Sequence, residues 1–221
     1  CDWSSDVCSS DLNSREQAVL ELESGTGKVL HRIAVPAKGS DHTRYNLLRR
    51  TPKETYLVAL RDEKRFVEVT RAGEVLKSFD VPGLPVVAER LADGSTLCSG
   101  MFGLRKFDGA GKETWSLSPA DVASEFPLLI SAGFVPLPGG RILAVNSDWH
   151  YKKPGENRVQ AFVVDQDRKI RWTLDAASFH GWKRSETEPA TGMVEHRGMM
   201  IQDRKSTRLN SSHITISYAV F

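Results

Sequence analysis

The insertion from Asn146 to Arg158, "NSDWHYKKPGENR", gathers a carboxylate, an imidazole, an indole, a phenol and several cations within a few residues. Asp148 and His150 flank Trp149, and on a loop two side chains one residue apart can converge. Such a pair would share a metal ion or act as acid and base, with His180 joining from the following loop. Trp149 and Trp182 offer flat faces for stacking on a sugar or an aromatic ligand, and would serve equally as packing between neighbouring loops. Isolated histidines are also common as surface or structural residues, so both readings of each residue stay open. The catalytic candidates are therefore Asp148, His150 and His180. The ligand-binding candidates are Asn146, Trp149, Trp182 and His42, and no metal site is assigned.

Two motifs are set aside. "ESGTGKV" (23–29) brushes against a phosphate-binding loop, but its first glycine is missing and Val29 replaces the serine or threonine. The residues after it alternate like a strand, and a phosphate loop needs a helix start to aim its N–H groups. The histidine in Glu195-His196-Arg197-Gly198 falls where a repeat places its turn, and needs no catalytic role.

The elements that must position these residues come from an internal repeat. Four segments share an apolar strand, a polar turn and a second apolar strand: 18–35, 65–81, 104–117 and 160–174. Aligning Lys28, Glu74, Lys112 and Lys169 puts Ile33, Phe79, Leu117 and Leu174 in one column and His31, Lys77, Trp115 and Trp172 in another. Each segment reads as a β-hairpin. A second hairpin precedes three of them: 85–100 matches 130–146, while 45–60 and a truncated 191–202 fit more loosely. Successive alignment positions lie 46, 38 and 57 residues apart, the third spacing carrying an insertion.

Four antiparallel strands per unit cannot bury both faces alone, so the units must stack, and radial stacking gives a β-propeller. The expected fold is all-β: three complete four-stranded blades, the outer half of a preceding blade and the inner half of a fifth. Trp115 and Trp172, at repeat positions, are expected to pack between blades. "PADVASEF" (119–126) is the best helical turn and falls in a loop.

The two ends stand apart from the repeat. Permitted codons for Cys1–Leu12 read, on the opposite strand, as Asp203 to His213 and the first base of an Ile codon, matching Ile214. Protein physics gives no reason for two termini to be reverse complements, and the string resembles a short-read library adapter. Residues 1–12 and 203–221 are therefore read as adapter-derived and 13–202 as an incomplete propeller domain. Without the flanks the net charge moves one unit from +2, to +3, too mild and scattered to point to nucleic acid. Cys98 remains as the only native cysteine, in an apolar strand, where it reads as an inert small hydrophobe. No run is apolar and long enough to span a bilayer. A propeller cut short exposes strand edges near Ala18 and Met200, which predicts poor solubility and offers the strand-like tail "HITISYAVF" a place to pair.

The motifs "RLADGSTLCSG", "FDGAGKETWSL", "PLPGGRILAVN" and "VVDQDRKIRWTL" resemble those of the bacterial quinoprotein-like (PQQ-like repeat) β-propellers, over nearly all of 18–202. That family holds pyrroloquinoline-quinone dehydrogenases, an outer-membrane assembly lipoprotein and many exported proteins. The resemblance implies a periplasmic or extracellular setting and makes pyrroloquinoline quinone and calcium the cofactors to consider. The family's tryptophan-docking pattern matches at Trp115 and Trp172, with His31 and Lys77 in the other slots; no residues matching the metal and quinone ligands are found.

In a propeller, loops between strands two and three, and from strand four to the next blade, emerge on one rim. That topology assigns His42, Arg61–Lys64, Met101, Phe102, 146–157 and 179–184 to it. The expected function is a non-catalytic binding or scaffold module presenting rim loops to a protein or glycan partner. The alternative is a propeller enzyme: a quinoprotein oxidoreductase, or a hydrolase or transferase using Asp148, His150 and His180.

Overall fold

The computed structural model describes the backbone of residues 7–23, 26–147, 159–175, 199–203 and 214–218, with side chains described for 12–23, 26–147 and 159–175. The chain divides into two compact units, Cys1–Thr114 and Trp115–Phe221.

The first unit opens with a three-stranded sheet of β1 (Val7–Asn13), β2 (Ala18–Glu23) and β3 (Val29–Ala34). A four-stranded sheet comes next, from β4 (Tyr45–Arg50), β5 (Tyr56–Leu60), β6 (Arg65–Val69) and β7 (Val75–Asp80). The third comprises β8 (Pro85–Arg90), β9 (Thr96–Gly100), β10 (Gly103–Phe107) and β11 (Glu113–Leu117), the unit boundary falling inside β11. The second unit holds the sheet of β12 (Ile130–Pro136), β13 (Ile142–Ser147), β14 (Val159–Val164) and β15 (Ile170–Asp175), and the hairpin of β16 (Met199–Asp203) and β17 (Ile214–Tyr218). Each four-stranded sheet meanders in sequence order, so 45–81, 85–117 and 130–174 are three complete blades. β2–β3 is the expected outer half-blade, and β16 lies in the expected fifth.

Local chemistry explains why the outer hairpins close where they do. In three of them a polar side chain opens the turn: Thr70, Asp108 and Asp165. Thr70 Oγ1 accepts from the N–H groups of Ala72 and Glu74, and Asp108 Oδ1 from those of Ala110 and Lys112. Asp165 Oδ1 accepts from Lys169 N–H at 2.9 Å. The fourth turn residue must take positive φ: Gly73 at 86°, Gly111 at 87°, and Arg168 at 63° in the last. The "ESGTGKV" segment joins two antiparallel strands, so it is a hairpin turn as expected.

The middle strands β5 and β9 are buried on both faces, whereas the outer strands β3 and β7 are largely exposed apart from one buried position each, Ile33 and Phe79. Within the first unit, Val19, Ile33, Tyr56, Val58, Val67 and Val69 form one core cluster between the half-blade and its neighbouring blade. Leu57, Phe66 and Phe79 meet Ala88, Cys98 and Phe107 in the next, with the Phe79 and Phe107 rings 5.2 Å apart. Cys98 is fully buried there, and burial pushes its thiol well above the ordinary range, as expected of an inert hydrophobe. Among the described residues no α-helix occurs. The helical turn expected near 119–126 is a 3-10 helix, Pro119–Val122, closed by Asp121 accepting from Ser118 N–H and Oγ at 2.7 Å each.

One expectation is corrected. Trp115 is half-buried, but Trp172 is 47% exposed, more than packing between two blades would leave it. At the ends, β1 runs antiparallel along β2 and β17 along β16, the neighbourhoods where open edges were expected.

Candidate functional site

Asp148, Trp149, His150, His180 and Trp182 lie outside the described residues, as does most of the 146–158 insertion. The structure does describe where that insertion is rooted. Asn146, near the end of β13, is fully buried. Its Oδ1 accepts from Leu129 N–H at 2.9 Å, while Nδ2 donates to the carbonyls of Pro127 at 2.9 Å and Val159 at 3.1 Å. The amide thus ties the approach to β12 to the start of β14, on both sides of the insertion. A ligand would have to compete with three backbone partners for it. The geometry gives Asn146 an anchoring role.

His42 sits exposed in the 40–44 turn, above a polar knot that the sequence reading did not identify. Arg44 is buried at its centre: Nε donates to Ala37 O at 3.1 Å, Nη2 to Gly39 O at 2.8 Å, and Nη1 to Asp41 at 3.0 Å and to Ser14 O. The β5–β6 loop closes onto it. Thr43 Oγ1 donates to Asp62 at 2.6 Å, and Lys38 N–H donates to Glu63 at 2.9 Å. A Cβ on Gly39, whose φ is 103°, would fall 2.2 Å from an Asp62 carboxylate oxygen, so only glycine permits this approach. The turn bearing His42 and the 61–64 loop, both expected at one rim, are therefore fastened together. Met101, 49% exposed, and buried Phe102 occupy the turn between β9 and β10, with the Arg105 guanidinium 5.9 Å over the Phe102 ring.

A second group was missed. Glu21, 1% exposed, accepts from Tyr56 Oη at 2.6 Å and from Arg71 Nε and Nη2 at 3.0 and 2.6 Å. Burial alone would raise its pKa; the hydrogen bonds from Tyr56 and Arg71 outweigh burial and hold the carboxyl below its ordinary value. Glu68 likewise accepts from Thr55 Oγ1 at 2.7 Å and pairs with Arg90. A signal for both existed: Glu21 is in phase with Val19 and Glu68 with Phe66, on strand faces that read as core. These carboxylates are saturated with donors and tie strands together. Among the described residues no three His, Cys, Asp or Glu side chains converge as metal ligands, so the donor set for a calcium–quinone pair is not assembled there.

Comparison with solved structures fits this geometry. A protein of unknown function from Bacteroides caccae matches with a TM-score of 0.63 at 21% identity, over 74% of this chain and 61% of its own. A streptogramin B lyase matches with a TM-score of 0.51 at 13% identity, over 86% of this chain and 53% of its own. The fold is a β-propeller, present in part. Kuenenia stuttgartiensis hydrazine synthase is similar at TM-score 0.50 and 14% identity, over 72% of this chain and 44% of its own. The propeller segment thus spans less than two thirds of the length of each of these structures. No protein-family model matches the chain, and no curated protein sequence matches it. Likeness at these identities carries architecture alone. No helix among the described residues is long and apolar enough to cross a membrane.

Proposed function

We propose that the chain is a fragment of a quinoprotein-like repeat propeller that acts as a binding or scaffold module, holding rim loops rigid for a protein or glycan partner. The observation that carries this reading is the Arg44 knot: the loop bearing His42 and the 61–64 loop are fixed to each other by side chains that are themselves held, while His42 and Met101 are exposed. Loops fixed before binding lose little entropy on association, which suits recognition. In the second unit, Asn146 ties together the described residues on either side of the insertion, through the carbonyls of Pro127 and Val159.

The test is a glycan and protein array probed with the labelled chain, beside the His42→Ala/Met101→Ala and Trp149→Ala variants. Selective binding weakened at least tenfold by either variant is expected. Absence of selective binding, or binding indifferent to both, would overturn it. The quinone and calcium implied by the resemblance are tested separately by titration calorimetry and absorbance. The same proposal includes 1–12 and 203–221 as translated adapter and an exported setting. Sequencing the locus from genomic DNA should replace both flanks and reveal any export signal.

A further inference from the structure

The junction between β2–β3 and the β4–β7 blade is not filled. A cleft of about 240 Å³ opens there, floored by Val35, Leu60, Val67 and Val69, all of them buried. Exposed Ala34, Pro36 and Val75 stand at its mouth. Residue size explains the opening. β6 turns valines toward this junction and Phe66 toward the other, and Gly73, which also lines the cleft, has no side chain to add. Protein interiors are packed to crystal-like density, and openings of this size are few in a domain.

Arg65 adds a donor to this apolar floor. It lies in phase with Val67 and Val69 on β6 and lines the cleft, and its Nε–H is buried with no hydrogen-bond partner among the described residues. A buried donor left unmet is costly, and a bound acceptor would remove that cost. The charge of the guanidinium, by contrast, is already met. Its Nη2 donates to Glu63, whose other carboxylate oxygen accepts from Lys38 N–H at 2.9 Å. Asp80 stands opposite Arg65 in the β6–β7 register, a second carboxylate beside the same cation. Two carboxylates against one guanidinium repel an anion, and an ammonium would bring a donor to a donor. A neutral oxygen suits the site. We infer that this cleft binds a small neutral amide with an aliphatic body, its carbonyl accepting from Arg65 Nε–H and its chain lying on the valine floor. Ser78, which pairs with Val67 in the register and is exposed at the mouth, offers its hydroxyl to the amide N–H. Measured against a cavity of about 150 Å³ that holds benzene, the cleft takes about ten non-hydrogen atoms. Such a ligand would bind whether or not the rim loops engage a partner.

The test is a titration of the full chain with hexanamide, followed by NMR of its carbon-13-labelled valine and leucine methyls. Saturable shifts of the Leu60, Val67 and Val69 signals are expected. Hexanoate and hexylammonium carry the same chain on an anionic or cationic head, and should bind at least about tenfold more weakly. Arg65→Lys keeps a cation for Glu63 and removes Nε–H, and should weaken hexanamide about tenfold. Ser78→Tyr puts a ring across the mouth and should abolish saturable binding. Both side chains reach solvent, so both variants should keep the parent's far-UV spectrum. The head-group comparison uses the parent chain alone and stands whatever the variants do. Absence of saturable shifts at these methyls, hexanoate or hexylammonium binding as tightly as hexanamide, or unchanged binding by either folded variant would each overturn the inference.

Discussion

Two junctions in the first unit place the same hairpin geometry on different chemistry. Between β2–β3 and the β4–β7 blade, the outer strand is latched by His31 on the turn carbonyl of Arg71, and a buried carboxylate, Glu21, is gripped by Tyr56 and Arg71. Between that blade and the next, the latch is Lys77 on the turn carbonyl of Gly109, and the interior is aromatic, with Phe79 against Phe107. Val58, Val67 and Val69 line the first junction where Phe66 and Phe79 line the second. A repeat of this kind conserves positions rather than residues. Any donor that reaches the turn carbonyl serves as a latch, and a junction can be oil or a satisfied ion pair.

The contrast can be broken from the aromatic side first. Phe79→Ala removes a ring that is 2% exposed, and about 3–5 kcal/mol of stability should be lost in urea melts. A loss below about 1 kcal/mol would mean that the second junction does not depend on its aromatic interior.

At the polar junction, Glu21→Gln keeps the shape and removes the charge, with an expected cost of about 1–3 kcal/mol near neutral pH, since Arg71 can turn to water. The sign of the pH effect comes from the lowered carboxyl. Its stabilisation is complete above the ordinary value of 4.5 and fades as pH falls through the lower folded value. The gap between parent and variant should therefore narrow from about pH 6 to about pH 3, while the Phe79→Ala gap holds steady. A gap for Glu21→Gln that ignored pH would remove the ion pair from the account.

The smallest effects come from the turns. Gly73→Ala puts a Cβ at φ 86° and 3.3 Å from the Ala34 carbonyl, and should cost about 1–2 kcal/mol. Arg168→Gly relieves a side chain held at φ 63° and should stabilise the second unit by up to about 1 kcal/mol, offset in part by loss of the 3.6 Å pair with Asp121. Hydrogen exchange in the flanking strands would read both. Equal effects of the same sign would show that these turns do not share one conformation.

Much of the fold was legible because strand alternation and turn chemistry are local. The seven hairpins from 18–35 to 160–174 all appear with their turns in place. Trp172 was misjudged because its column position was visible while the occupant of the facing surface was not. His42 and Asn146 looked alike as rim candidates, yet one is exposed in a turn and the other is buried on three backbone groups. The Arg44 knot escaped notice because its partners, Ser14, Gly39 and the 61–64 loop, are distant or nondescript in sequence.

By itself, the order of residues determined the strands, the turns, the repeat length and the two columns, since each arises from backbone geometry within a few positions. Tertiary structure alone decided which carbonyl each latch reaches, which carboxylates are buried with their donors, and which column member is left bare. Those outcomes depend on surfaces some 40 residues apart meeting in space, as His31 meets Arg71, and local patterning carries no record of what lies opposite.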